Sequence, residues 1–281
     1  MNFRKVGAAA AIATVLALTA GACGGDDGDN GSGGSGGDGK GKITVGIKFD
    51  QPGIGLKEPD GSFSGIDVET AKYVAKQLGY DEKNIEFKET KSADRETALA
   101  NGDVDFIVAS YSITPEREEK VDFAGPYFLA HQDLLIRADD NSITEATDLN
   151  SKKLCSVTGS TSAQNVQNDF AKDAQLIERG GYSECIGALQ NKVVDALTTD
   201  NAILAGYAAQ SQYKGKFKLA GLSLSNENYG IGVKKGSDLK AQINTALEKM
   251  VSDGTWQKVM DDAFGPANFK FEPAPQIGQL K

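Results

Sequence analysis

The segment KITVGIKFDQPGIGLKEPDGSFSGIDVETAKYVAKQLGYDEKNIEFKETKSADRETALANGDVDFIVA, residues 42–109, decides the fold class. Its short runs rich in β-branched and apolar residues predict three strands, at residues 42–48, 84–88 and 104–109. The stretches 66–78 and 94–100 between them have apolar side chains at helical spacing, and a glycine follows closely after each. The order strand, helix, strand, helix, strand predicts a mostly parallel sheet covered by helices.

The same alternation resumes after residue 137. The predicted elements are strand 153–157, helix 161–172, strand 175–178, helix 182–190, strand 193–198, helix 200–210 and strand 216–219. The tail from Tyr229 predicts one more strand and two helices, at about 238–251 and 254–263. We therefore expect an α/β protein, and the length of 281 residues allows one large domain or two lobes.

Composition excludes several classes of function. With 40% hydrophobic and 25% charged residues the chain can bury a core, and its formal net charge of -9 argues against nucleic-acid binding. Three cysteines and one histidine, His131, leave the common zinc sites and the Ser/His/Asp or Cys/His triads nearly excluded, unless His131 is itself a base. We expect neither a metal nor a cofactor.

The amino terminus has the pattern of an export signal. Arg4 and Lys5 precede an apolar stretch, residues 6–18, which is shorter than the roughly 20 residues of a membrane span. Small residues then lead to Cys23, an arrangement that resembles the lipobox of bacterial lipoproteins, although Ala20 stands where leucine is usual. This resemblance implies a signal peptide over residues 1–22 and lipid modification of Cys23. The alternative is ordinary secretion with Cys23 free or paired.

Residues 23–41 predict a flexible tether. From residue 24 onward they read GGDDGDNGSGGSGGDGKG, without an apolar side chain to bury. A coil of this length spans roughly 20–25 Å on average. Together with a lipid on Cys23, the tether would hold a globular body at the extracellular face of the cell membrane.

Cys155 and Cys185 remain as an even pair once Cys23 is lipid-modified. An exported protein meets an oxidising compartment, so we expect a disulfide between them. The alternative is two buried free thiols.

Four segments resemble a known family in their order and spacing: GIDVE (65–69), NGDVDF (101–106), ASYSITPER (109–117) running into VDFAGPY (121–127), and GST (159–161) with DALTTD (195–200). The chain from about residue 42 to 265 resembles the extracellular solute-binding proteins of family 3, which are amino-acid receptors of ABC importers. Within that family it resembles the glutamate-binding lipoproteins of actinobacteria.

The resemblance implies a periplasmic-binding-protein-like fold of two α/β lobes joined by two crossover strands. Lobe 1 would comprise residues 42–134 and 228–281, and lobe 2 would comprise residues 135–227. The ligand would lie in the cleft between the lobes and be trapped by hinge closure. Ligands of open α/β sheets bind at the carboxyl ends of strands, where our strand assignments place Ser110, Thr161 and Asp200.

The same resemblance implies the residues that hold the amino-acid backbone. Arg117 would clamp the α-carboxylate through two charge-assisted hydrogen bonds, and Asp200 would pair with the ammonium group. Ser110, Ser112 and Thr161 would add polar contacts, with the helix beginning near residue 160 directing N–H groups at the anion. Alternatively, Arg117 is a surface arginine that pairs with its acidic neighbours, and Asp200 is only a helix N-cap.

Two further positions concern the ligand side chain. Lys48 and Arg95 match places where glutamate and aspartate receptors of the family resemble each other in carrying basic residues. A second buried carboxylate needs such partners. Alternatively, Lys48 is an exposed strand end, and relatives with neutral ligands also carry an arginine at the Arg95 position. The segment 50–55 lacks the aromatic residue that many relatives have there.

We therefore expect a monomeric, lipid-anchored receptor for L-glutamate that delivers it to separate permease and ATPase subunits of an ABC importer. Aspartate, glutamine and asparagine are the alternative ligands. The alternative from another class is a dehydratase-type enzyme on the same fold, with a cleft acid as proton donor. Both ends of an amino-acid clamp, Arg117 and Asp200, favour the receptor.

Overall fold

The computed structural model describes residues 41–281. The signal peptide, the lipid-modified Cys23 and all but the last residue of the tether lie outside the described residues and stay predictions.

The first half of the chain folds largely as its sequence pattern predicts. Helix α1 starts directly after Gly65 and runs for 12 residues with its apolar side chains on the buried face. The elements up to the long strand β7 are β1 (Ile43–Ile47), β2 (Asp50–Gln51), β3 (Gly55–Lys57), β4 (Phe63–Ser64), α1 (Ile66–Gln77), β5 (Ile85–Glu89), α2 (Arg95–Asn101), β6 (Phe106–Ile107), α3 (Pro115–Glu118) and β7 (Val121–Arg137).

The second half alternates strands and helices before a carboxyl-terminal helical pair. Its elements are β8 (Lys153–Val157), α4 (Ser162–Asp169), β9 (Gln175–Arg179), α5 (Tyr182–Gln190), β10 (Ala196–Asp200), α6 (Asn201–Ala209), β11 (Phe217–Leu219), β12 (Asn226–Lys234), α7 (Leu239–Ser252) and α8 (Thr255–Phe264). Helix α4 ends three residues earlier than the predicted 172, because the chain turns at Phe170.

The main strands lie in the order β5-β1-β6-β12-β7-β10-β8-β9, with β11 also paired to β7. Strands β7 and β12 are the crossovers. The first part of β7 pairs antiparallel with β12 as far as His131, and the next residue, Gln132, already pairs with Asp200 of β10. The sheet thus divides into two α/β lobes, which confirms the predicted fold class. The predicted lobe boundaries at 134/135 and 227/228 stay predictions.

Strand β7 is 17 residues long although it contains Pro126, a residue that usually interrupts strands. The ladder with β12 shifts register at this point, because Tyr229 pairs with Phe128 but Ile231 pairs with Ala124. Residues 125–127 of β7 therefore form a bulge opposite the single Gly230 of β12. The bulge removes the need for an N–H at the proline and keeps the crossover continuous.

Three apolar clusters stabilise the lobes in the described part of the chain. The largest extends from α1, α7 and α8 to α5 and α6, a second lies under α4 in lobe 2, and a third packs around Leu99, Tyr111 and Phe123 in lobe 1. Cys155 and Cys185 form the predicted disulfide, with an S–S distance of 2.04 Å, which fastens α5 to β8. None of the helices in residues 41–281 combines the length and the apolar character needed to cross a bilayer.

Candidate functional site

Two arginines of lobe 1 converge on one carbonyl group of lobe 2. Nη2 of Arg95 lies 3.4 Å, and Nη2 of Arg117 3.1 Å, from the carbonyl oxygen of Gly159. Both guanidinium groups also lie over the ring of Tyr111, with 4.0 and 5.2 Å from Cζ to the ring centroid. Stacking on an aromatic face holds a desolvated guanidinium in place. The two predicted cations therefore lie side by side where the lobes meet.

Gly159 can take this position only because it lacks a side chain. Its φ of 81° is in the left-handed region that favours glycine. A Cβ atom here would lie 2.6 Å from the backbone nitrogen of Ala93 in the other lobe. Glycine therefore allows the loop after β8 to contact lobe 1 directly.

Arg95 is almost fully buried, at 2% exposure. It begins α2, and its guanidinium donates to the carbonyl oxygens of Ser92, Ala109 and Ser110 as well as Gly159. Burial, followed by the charge of Arg117, lowers the pKa of Arg95 to about 10. Its donors are largely used by the backbone, so Arg95 also holds together the loops that carry the other site residues.

Arg117 lies in the short helix α3, which Thr114 caps. It is buried, and Nη1 donates to the carbonyl oxygen of Ser112 at 2.8 Å. Its ion pair is with Glu96, at 3.8 Å from Nε, and not with the acidic residues next to it in the chain. The alternative of a surface arginine is therefore wrong.

Lys48, directly after β1, is also buried, so the alternative of an exposed strand end is wrong. Its ammonium donates to the hydroxyl of Ser92 at 2.8 Å. Burial, and then the charge of Arg95, hold the pKa of Lys48 well below its usual value, and Asp50 counteracts this. Within residues 41–281, the ion pairs include neither Lys48 nor Arg95. Both are buried cations without a carboxylate in direct contact.

Asp200 is the last residue of β10 and is buried. It occupies the N-cap position of α6, yet its side chain makes no capping hydrogen bond, so the alternative of a simple cap is not supported. Instead it accepts a short hydrogen bond from the hydroxyl of Tyr229. Burial, and then the charge of Glu227, raise the pKa of Asp200 to about 8.

The three predicted hydroxyl residues differ in their surroundings. Ser110 has a φ of 42° and donates its backbone N–H to Asp67 at 2.8 Å. Ser112 is bridged to Tyr229, the partner of Asp200. Thr161 lines an open cleft of about 670 Å³ whose walls include Arg117 and Gly159. The helix expected near residue 160 starts at Ser162, whose N–H donates to the Ser160 hydroxyl at 3.3 Å.

Two residues of the site region were not predicted. Asp67 is fully buried and accepts from Tyr127 and from Ser110, and burial raises its pKa to about 7. Its position in the GIDVE motif was the only sequence signal. Gln51 is fully buried in β2, and neither polar atom of its amide has a partner among the described residues. A glutamine in a polar turn gives no sequence signal that its side chain will be buried.

The arrangement matches a known family in sequence and in fold. The model of bacterial extracellular solute-binding proteins, family 3, matches residues 43–266. The chain is 47% identical over 236 residues to the glutamate-binding protein GluB of Corynebacterium efficiens, covering 80% of this chain and 79% of that protein. Over 220 residues it is 42% identical to the ABC transporter glutamine-binding protein GlnH of Bacillus subtilis, covering 78% and 79%.

The fold is also that of a solved receptor. An ancestral arginine-binding protein bound to glutamine has a TM-score of 0.75 and 36% identity, with 80% of this chain and 99% of that chain covered. The family model spans both crossover strands and every predicted site residue, from Lys48 to Asp200. The chain therefore belongs to the bacterial extracellular solute-binding proteins of family 3.

Proposed function

We propose that this protein captures L-glutamate between its lobes by hinge closure. The observation that carries the proposal is the buried group of three cations, Lys48, Arg95 and Arg117, of which only Arg117 has an ion-pair partner among the described residues. Buried charges need compensation, and isolated ones are strongly unfavourable. A ligand with two carboxylates would supply the direct carboxylate partner that Lys48 and Arg95 lack among the described residues.

Each predicted residue then has a defined role. Arg117 retains guanidinium N–H groups beyond its two backbone hydrogen bonds and would clamp the α-carboxylate. Asp200, once ionised, would pair with the ammonium group. Lys48 and Arg95 would face the γ-carboxylate. Ser110, Ser112 and Thr161 would complete the polar lining of the same cleft.

Glutamine is the principal alternative ligand, because one relative is named for glutamate and another for glutamine. The charge of the site favours glutamate. An amide presents an NH₂ group to Lys48, a donor facing a donor, which costs roughly 1–3 kcal/mol per buried unpaired group. Aspartate carries the same charges on a shorter side chain, which reaches less far towards Lys48. Asparagine combines this shorter side chain with an amide group.

One observation favours an enzyme of the dehydratase type instead. Burial raises the pKa of Asp200 to about 8, so this carboxyl is largely protonated at neutral pH and has a proton to donate. A receptor needs the same residue ionised by its ligand. Prolonged incubation with the bound amino acid distinguishes the two, because a receptor returns the ligand unchanged.

The cellular part of the proposal concerns anchoring and delivery. Cys23 would carry the lipid that holds the receptor at the extracellular face of the membrane, and permease and ATPase subunits of an ABC importer would receive the closed, monomeric receptor. The family description as extracellular solute-binding proteins and the name of the GlnH relative support delivery to an ABC importer, and the lipobox-like sequence at Cys23 supports the anchor.

The direct test of the function is isothermal titration of the purified protein with each of the twenty amino acids. The proposal expects L-glutamate to bind most tightly, with one ligand per chain. Tight binding of arginine or histidine, with no heat from glutamate, would reject it.

A further inference from the structure

A turn of lobe 1 packs directly on two helices of lobe 2, at contacts distinct from the arginine cluster. The turn consists of Asp50, Gln51 and Pro52. The carboxylate of Asp50 accepts from the backbone N–H of Ser183 at 3.2 Å and from its hydroxyl at 3.3 Å, in the first turn of α5. The hydroxyl of Tyr207 in α6 donates a short hydrogen bond to the carbonyl oxygen of Asp50.

Two glycines make room for this turn. A Cβ on Gly206, in the middle of α6, would lie 2.0 Å from the carbonyl oxygen of Pro52. A Cβ on Gly181, at the N-cap of α5, would lie 2.6 Å from Oδ2 of Asp50. Atoms at such separations overlap, and a backbone carbonyl cannot swing aside as a flexible side chain can. Any larger residue at position 206 is therefore incompatible with this approach of the lobes.

A disulfide joins part of the surface that receives the turn to the strand before Gly159. Cys185 in α5 is bonded to Cys155 in β8, the strand that leads to Gly159. The α5 contact to Asp50 and the Gly159 contact to the arginines are thus fastened to one strand of lobe 2. When the lobes approach, both contacts form together.

We propose that the turn at residues 50–52 is a closure dock, and that Gly206, Gly181 and Asp50 are positioning residues that set how readily the lobes close. The proposal rests on the proposed function in that closure traps the ligand. A receptor whose binding-competent state is only partly populated binds with an affinity reduced by that fraction. Because the hydrogen bonds of the dock join protein groups only, weakening it should lower the affinity for every ligand by the same factor.

The test is the substitution Gly206→Ala, with Gly187→Ala as the matched control. Both glycines lie inside lobe 2 helices, and alanine is the better helix former at such positions. A Cβ on Gly187 meets no atom within 4 Å, so only the substitution at Gly206 obstructs closure. We measure the unfolding midpoint, the Kd for L-glutamate and L-glutamine, and the radius of gyration with and without L-glutamate.

For Gly206→Ala we expect the unfolding midpoint of the free protein to be no lower than that of the wild type. Both ligands should bind at least about tenfold more weakly, by one common factor. L-glutamate should cause little compaction of this variant. Gly187→Ala should match the wild type in binding and compaction. A Gly206→Ala protein that binds and compacts like the wild type would overturn the proposal, as would a loss confined to one ligand.

Two further results keep the dock and the ligand assignment separate. If wild-type protein binds neither ligand, the proposed function fails. The dock then still predicts a larger radius of gyration for ligand-free Gly206→Ala than for ligand-free Gly187→Ala. Equal radii of the two variants would reject the dock. If Gly206→Ala is unfolded, Tyr207→Phe replaces it. That variant removes the hydroxyl that donates to the carbonyl oxygen of Asp50 and leaves the charges near Lys48 unchanged, so it should weaken both ligands equally, by several-fold.

Discussion

The guanidinium of Arg117 and the carbonyl oxygen of Gly159 are hydrogen-bonded at 3.1 Å across the boundary between the two lobes. The residue expected to clamp the ligand therefore also contacts the opposite lobe. Arg95 contacts the same oxygen, so the closed arrangement and the cation cluster depend on each other. Substitutions in this cluster should alter ligand binding and lobe closure together.

Arg117→Ala should abolish measurable binding of every amino acid. Removing one partner of a buried charged pair costs about 3–5 kcal/mol, which corresponds to a loss of affinity of roughly 100- to 5,000-fold. Calorimetric titration measures the loss, and Lys172→Ala, at an exposed position in lobe 2, is the control. Wild-type affinity in Arg117→Ala would remove Arg117 from the site.

Affinity for L-glutamate should rise with pH towards about 8 through the ionisation of Asp200. Its pKa of about 8 in the free protein falls when it pairs with an ammonium group, so binding below pH 8 releases a proton from this carboxyl. Burial lowers the pKa of Lys48, and a bound anion raises it again. Binding therefore takes up a proton at Lys48, so this residue makes the affinity for L-glutamate fall at higher pH.

The variant Asp200→Asn separates these two effects. Titration at pH 7 in buffers of different ionisation enthalpy should show less proton release for Asp200→Asn than for the wild type. Identical proton exchange in both proteins would mean that Asp200 does not change its ionisation on binding.

Loss of the disulfide should lower the free energy of unfolding without changing the ligand preference. The bond closes a loop with a sequence separation of 30, which corresponds to about 3–4 kcal/mol in the loop-entropy estimate. Urea unfolding of the double variant Cys155→Ala and Cys185→Ala measures the difference. An unchanged free energy of unfolding would show that the unfolded chain gains no conformational entropy when the disulfide is removed.

Cys23→Ser should release the protein from the cell into the medium. The prediction follows from the lipobox-like sequence, and Cys23 lies outside the described residues. Affinity for the ligand should be unchanged, because the cleft is built from residues beyond position 47. Retention of the variant on the cell would require a different anchor.

The sequence pattern was sufficient for most of the fold. Helix α1 was predicted at 66–78 and spans Ile66–Gln77, since its apolar spacing and the following glycine act locally. The extent of β7 was not predictable, because Gly125 and Pro126 are residues that usually end a strand and here they lie in a bulge of β7 opposite Gly230. The small sheet of β2, β3 and β4 also escaped prediction, since its strands have only two or three residues.

Some features of the candidate site could be predicted from the sequence, and others could not. Lys48, Arg95, Arg117 and Asp200 could be proposed from the family resemblance, and the structure brings them to the boundary of the lobes. The convergence of both arginines on Gly159, and the support that Asp67 gives to Ser110, could not be predicted. These contacts join segments that are 42 to 64 residues apart, and no local pattern reports them.

Lys48→Met should weaken L-glutamate far more than L-glutamine. The change removes the charge but keeps an unbranched apolar side chain, and within residues 41–281 the Lys48 ammonium has one hydrogen bond to lose, to Ser92. Arg95→Met is expected to lower stability as well, because its guanidinium bonds four carbonyls. The double variant should narrow or invert the preference, and Lys88→Met, at an exposed strand position, is the control.

The buried cations should select an acidic amino acid. The most direct measurement is the ratio of the Kd values for L-glutamine and L-glutamate, determined by calorimetry on the wild-type protein. We expect L-glutamate to bind at least about tenfold more tightly, in line with one unpaired buried group. Equal affinities, or tighter binding of L-glutamine, would show that the buried cations do not set the ligand preference.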